Sequence, residues 1–171
     1  MRKPSAEGYQ NEQTLENGTT HQYSIRGIKS PEQLEDELLA LFVWVWSLKD
    51  YLKELYKARG LEPHSVEVVV NEHRALQYVS DIANRAKHGV LRRSRSGASA
   101  ELVNVGFTVP QSSIAKITVG AFSVGVDVTK PNDVELHASV KTSENEVIDA
   151  FSVLDEAIGV LESRVIKCIA A

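Results

Sequence analysis

The sequence predicts a mainly α protein with a small antiparallel β-sheet. Three long helices, at about 31–59, 65–88 and 144–169, form a bundle, and a β-meander at about 101–141 is inserted before the last helix. Two observations predict this. In the first and third helical segments the apolar residues step four and three without a break, which is one face of an α-helix. Between Val103 and Val140 the period changes to two, and short turn-like connections separate the alternating runs. The predicted organisation is a polar N-terminal arm, 1–29, followed by a single helical domain with a β insertion, 30–171.

Residues 1–29 carry no sustained period and are punctuated by Gly8, Asn17-Gly18 and Gly27, with at most a short extended piece around Tyr23 to Ile25. No apolar stretch follows the basic residues near Met1, so a secretory signal is not expected. Ser30-Pro31-Glu32-Gln33 is a helix start: Ser30 caps, Pro31 suits the first helical position and Gln33 completes a capping box. Leu34, Leu38, Leu41, Val45, Leu48, Leu52 and Leu55 then form one seam, with Leu39, Phe42 and Trp46 beside it and Trp44 and Tyr51 on another side. The middle of this helix is apolar nearly all round and must be covered on more than one side. Its most apolar run, Leu38 to Trp46, is far shorter than the roughly 20 residues a bilayer requires.

The second helix runs from Ser65 to His88, with Val69, Leu76, Val79, Ala83 and Ala86 on its apolar face and Glu72 oddly in the same stripe. Gly89 is its left-handed C-terminal residue. In the sheet region, Pro110 to Ser113 and Lys130 to Asp133 read as turns, and a phase slip near Gly120 reads as a bulge or bend. Ser143 to Glu146 is a second capping box, opening a helix whose seam ends on Cys168, read as a small core residue.

Composition bounds the function. The chain of 171 residues has 19 Lys and Arg against 23 Asp and Glu, a net charge of -4, which argues against coating nucleic acid through bulk charge. A single cysteine excludes an internal disulfide and suits the cytoplasm. No Cys pair or H-E-x-x-H motif suggests a metal, no glycine-rich phosphate loop occurs, and no G-x-S-x-G elbow supports a hydrolase. No cofactor is expected. Three amphipathic helices leave the first one under-covered, so a homodimer is expected.

One segment carries chemical content. At 100° per residue Gln77, Asp81, Asn84 and His88 share a polar helix face, bringing donors, acceptors and an imidazole into line. Arg85, Lys87, Arg92, Arg93 and Arg95 follow with no acid between Asp81 and Glu101, and Ser94 and Ser96 add hydroxyls. Asp81, Arg85, Lys87, Arg92 and Arg93 are thus candidate ligand- or phosphate-binding residues, for RNA or a nucleotide, on or beside the face that carries His88 and Asn84. The alternative is a non-catalytic interaction module in which the same face is a buried hydrogen-bond network.

The Asn84-x-x-x-His88 spacing at a helix end resembles the HEPN superfamily signature, an Arg, a polar residue that is often Asn, a short spacer and a His. The resemblance implies a helical bundle, often dimeric, and in many members a metal-independent endoribonuclease of toxin–antitoxin or phage-defence systems. It implies that His88 acts as general acid/base and that Asn84 orients the phosphate. The Arg position is Ala83, and Arg85 points about 200° away from it on the helix. The segment is also similar to uncharacterised bacterial and phage proteins whose second helix ends D-x-x-N-x-x-K-H, here Asp81, Asn84, Lys87 and His88.

Overall fold

A computed structural model describes residues 8–170. The element order is β1 (Gly8–Thr14), β2 (Thr20–Arg26), α1 (Pro31–Ala58), α2 (His64–Glu72), α3 (Arg74–His88), β3 (Glu101–Thr108), β4 (Ile114–Val119), β5 (Ser123–Val128), β6 (Glu135–Lys141), β7 (Val147–Asp149) and α4 (Ala150–Val160). A π-helical turn, Leu161–Ile166, and a short α5, Lys167–Ala170, follow. The expected three-helix bundle with a small meander is therefore incorrect: seven described strands lie in two sheets, and the second and third helices are not the continuous rods the periodicity suggested. The chain divides into two compact units, residues up to 34 with 106–137, and 35–105 with the residues from 138 onward.

The first unit holds a four-stranded sheet of order β1-β2-β5-β4. Its β1–β2 hairpin lies where the sequence suggested an arm, whose first seven residues lie outside the described ones. The hairpin turns through Leu15 to Thr19: Gly18 is left-handed, at φ 80°, and the Asn17 side chain accepts from the Thr19 N–H at 3.0 Å. Most side chains of both strands are exposed, so no apolar alternation marks them. β2 then pairs in parallel with β5, from Gln22↔Ser123 to Arg26↔Asp127, which no up-and-down meander allows. The slip near Gly120 is a tight hairpin connection, closed by Gly120 N–H to the Ser123 carbonyl at 2.7 Å, and the register shift lies instead between Ile114 and Lys116. Gly27 is obligatory by geometry, since a Cβ there would stand 2.0 Å from the Val128 carbonyl oxygen at a φ of +96°. The other sheet has the order β3-β6-β7.

The second unit contains the main apolar core, whose largest fully buried side chains include Phe42, Leu76, Ile82 and Leu161. The capping box at the start of α1 forms as expected, with Ser30 N–H to Gln33 Oε1 at 3.0 Å and Gln33 N–H to Ser30 Oγ at 3.2 Å. The buried stripe of α1 is rotated from the expected seam: Phe42, Val45, Trp46, Leu52 and Tyr56 are buried, while Leu41, Leu48 and Leu55 are each 42% exposed.

The second helix breaks at His73, which is extended (φ -115°, ψ 117°). The Asn71 carbonyl, deprived of a helical partner, accepts from Gln77 Nε2 at 2.5 Å. The break also turns Glu72 out to solvent, which removes the oddity of a carboxylate in an apolar stripe. The second capping box does not form. Ser143 donates to the Ala98 carbonyl at 2.8 Å, Glu146 accepts from Tyr78 Oη at 3.1 Å, and Asn145 is left-handed at φ 62°. These residues make a turn into β7, and α4 starts later, capped by Asp149, which accepts from Ser152 N–H at 2.7 Å. The π-helical turn then widens the helix, so that Val165 stays buried while Cys168 leaves the seam and is exposed. Among the described residues no helix is long and apolar enough to cross a membrane.

Candidate functional site

The second unit holds a polar cleft of about 560 Å³ lined by His64, Glu67 and Asn71 of α2, Ser80 and Asn84 of α3, and Arg93, Ser94 and Arg95 of the loop after α3.

The loop is held by Asp81. This carboxylate is fully buried and accepts four hydrogen bonds: from Ser94 Oγ, Arg95 N–H and Ser96 Oγ, each at 2.6 Å, and from Ser96 N–H at 3.4 Å. A buried carboxylate is tolerated only where such donors replace water, so Asp81 is the anchor of the loop and is not open to a ligand. Ser94 and Ser96, expected as donors to phosphate, spend their hydroxyl protons on Asp81. Gly97 and Ser99, both with positive φ, let the loop fold back so that Ser99 N–H reaches Ser94 Oγ at 3.1 Å.

The α2 wall is an ion cluster. Glu67 meets Lys53 and Arg95 at 3.0 Å and Lys49 at 3.2 Å. Burial alone would raise its carboxyl, but the hydrogen bonds from Lys53 and Arg95 and the charge of Lys49 outweigh it and hold the pKa down at about 2. Arg95 also donates to Asn71 Oδ1 at 3.0 Å, and its guanidinium lies 5.1 Å from the Trp46 ring centre. Lys49 approaches the same ring at 4.7 Å. Three cations thus surround one carboxylate, Lys49 is shared with Asp50 at 2.7 Å, and of the three only Arg95 lines the cleft.

The residues expected to form the site separate on this frame. Asn84 and Arg93 line the cleft together, and Asn84 Nδ2 is 3.4 Å from Ser80 Oγ. Asp81 is buried beneath the loop. Arg85, expected to hold phosphate, is instead drawn off to Ser99 Oγ at 3.3 Å and Glu101 at 3.5 Å. Lys87, His88 and Arg92 are exposed outside the cleft lining, and none has a side-chain partner among the described residues. Gly89 ends α3 as expected, left-handed at φ 73°, with its N–H on the Arg85 carbonyl at 2.8 Å. Ala83, at the position an Arg would take in the HEPN pattern, is completely buried.

Sequence reasoning missed His64, Glu67, Asn71, Ser80 and Arg95 as cleft residues. A signal was present in three of them: His64, Glu67 and Asn71 step by three and four on the side of α2 away from buried Val66 and Val70. No group of three or more His, Cys, Asp or Glu among the described residues could hold a metal ion. Compared with known proteins, the chain matches no family model, no curated protein and no solved structure.

Proposed function

We propose that this is a HEPN-like protein that binds a phosphate-bearing ligand, with RNA the first ligand to test, in the cleft between α2, α3 and the Arg92–Ser96 loop. The observation that carries the reading is the cleft itself: Arg93, with no partner among the described residues, shares it with the Asn84 amide and the Ser80 hydroxyl, beside a Glu67 carboxylate already neutralised by Arg95, Lys49 and Lys53. An unpaired guanidinium next to neutral hydrogen-bond donors suits a phosphate oxygen better than it suits an apolar or cationic ligand. Arg92 and Lys87, also unpaired among the described residues, extend the positive surface along the chain. The reading also takes the protein to act in the cytoplasm, where its one exposed thiol stays reduced, and to work as a pair of copies.

Binding is favoured over cleavage. A buried Ala83 leaves the activating guanidinium of the HEPN pattern unfilled, and His88 is not among the cleft residues. The interaction-module reading keeps one specific support: Asp81 belongs to a saturated internal network of the kind that reading requires.

The test is titration of the full chain into fluorescent single-stranded RNA and, separately, into a fluorescent ribonucleotide. Both arms are expected to show binding, with the longer ligand binding more tightly, and the RNA is expected to stay intact. Arg93→Ala should weaken RNA binding about tenfold, the equivalent of about 1.4 kcal/mol for one charge-assisted contact. Binding of the nucleotide alone would restrict the reading to small ligands. Absence of binding in both arms would overturn it in favour of the interaction module, and RNA cleavage lost in His88→Ala would make the protein an enzyme.

A further inference from the structure

Outside the cleft, one face of α1 carries an exposed apolar stripe. Leu41, Trp44, Leu48, Tyr51 and Leu55 step by three, four, three and four, so they form one straight stripe of about 21 Å at the rise of an α-helix. All five are exposed, the leucines at 42%, Trp44 at 68% and Tyr51 at 70%. The side of α1 turned about 110° from the stripe already faces the core through Phe42, Val45 and Tyr56. Single exposed apolar residues are ordinary, but five in unbroken heptad spacing form a contiguous patch of the kind that marks an interface.

The charges along α1 select the occupant. In line with the stripe, Glu37 stands exposed one turn before Leu41 and Arg59 stands exposed one turn after Leu55. Two copies of the helix laid antiparallel, with Leu48 against Leu48, bring each acidic end against the other copy's basic end. A parallel pair would set acid against acid and base against base. The antiparallel arrangement is also the two-fold, self-complementary contact that closed dimers use, and it opposes the helix dipoles. An anionic lipid surface is disfavoured, because Glu37 lies in line with the stripe and Asp36 and Glu54 flank it.

We infer that α1 is the self-association surface of the protein, and that a second copy of the chain covers the Leu41–Leu55 stripe in an antiparallel helix pair centred on Leu48. This rests on the reading of the protein as a pair of copies and names the face that makes the pair.

The experiment is light-scattering mass measurement on the full chain, with circular dichroism as the check on folding. Wild type is expected at twice the mass of one chain. Leu48→Asp, at an exposed position that leaves the core untouched, should weaken the pair by at least about a hundredfold and give single-chain mass with an unchanged spectrum. Orientation is read in a Cys168→Ser background, which removes the native exposed thiol. On oxidation Leu48→Cys should cross-link to itself. Leu41→Cys and Leu55→Cys should cross-link when mixed but not alone. A single-chain mass for wild type overturns pairing itself. A Leu48→Asp protein that remains paired overturns this face while leaving pairing intact. Self-cross-linking of Leu41→Cys and Leu55→Cys alone overturns the antiparallel arrangement.

Discussion

Asp81 illustrates how burial reassigns a residue. By spacing alone it shares a polar helix face with Asn84 and His88, and a carboxylate beside an imidazole invites a role in chemistry. Its four hydrogen bonds and complete burial make it the peg of the cleft's loop instead. Asp81→Ala would strand two hydroxyls and the Arg95 N–H in a closed space, so we expect a loss of roughly 3 kcal/mol or more in urea unfolding. A midpoint unchanged from wild type would remove the anchoring role. Glu67 carries the opposite lesson, since its neighbours hold it ionised. Its pKa is lowered from 4.5 to about 2, so the unfolded chain binds the proton more readily than the folded one. The stabilisation from its ion cluster is therefore complete above about pH 5 and is lost as the pH falls toward about 2. The Glu67 side chain keeps 18% exposure, which places the effect on the order of 1–2 kcal/mol, below that of a fully enclosed pair. Thermal melts of wild type and Glu67→Gln should differ most near neutral pH and converge in acid; a difference that stays constant down to pH 2 would contradict the cluster.

At the scale of elements, legibility followed how local the cause was. Ser30 and Gln33 cap α1 as their spacing demands, and Gly89 ends α3 as a glycine after a basic turn should, because both signals act within a few residues. The second capping box failed because its Ser and Glu had better partners far away in sequence, the Ala98 carbonyl and the Tyr78 hydroxyl. A period of 3.6 finds a helix but leaves its rotation uncertain when more than one side is apolar. That is why Val45 and Leu52 of the expected seam are buried, with Phe42 and Trp46 from the stripe beside it, while Leu41, Leu48 and Leu55 of the same seam are exposed. The break at His73 and the π-helical turn have no strong local marker, yet they decide whether Glu72 and Cys168 face core or solvent. β1 was invisible, and β2 showed only as the short extended piece around Tyr23 to Ile25, for a related reason: strands exposed on both faces have no apolar alternation, and the parallel partner of β2 lies about a hundred residues away. The cleft shows the same division. Asn84 and Arg93 came from a run of sequence, whereas the α2 wall required the fold to bring His64, Glu67 and Asn71 alongside.

For the whole molecule the decisive quantity is how many positive charges remain after internal pairing. The net charge is -4, and the run from Arg85 to Arg95 holds five basic residues without an acid. Two of them are committed internally, Arg85 to Glu101 and Arg95 to Glu67, which leaves Lys87, Arg92 and Arg93 unpaired among the described residues. That count sets the salt dependence of RNA binding. Each phosphate neutralised on a single strand contributes a slope of about -0.7 in log K against log salt, so two to three contacts give roughly -1.4 to -2.1. Raising salt from about 50 to 200 mM should then weaken binding roughly 7- to 18-fold, well short of the losses of a protein that wraps nucleic acid with many cations. Arg93→Ala should make the slope shallower by about 0.7, while Arg85→Ala, which removes a guanidinium already tied to Glu101, should leave it unchanged. A slope several times steeper would mean that cations outside this loop carry the contact. A slope near zero would mean that phosphate is not what the cleft holds, because the acidic remainder of the chain offers no other means of attracting a polyanion without releasing its counterions.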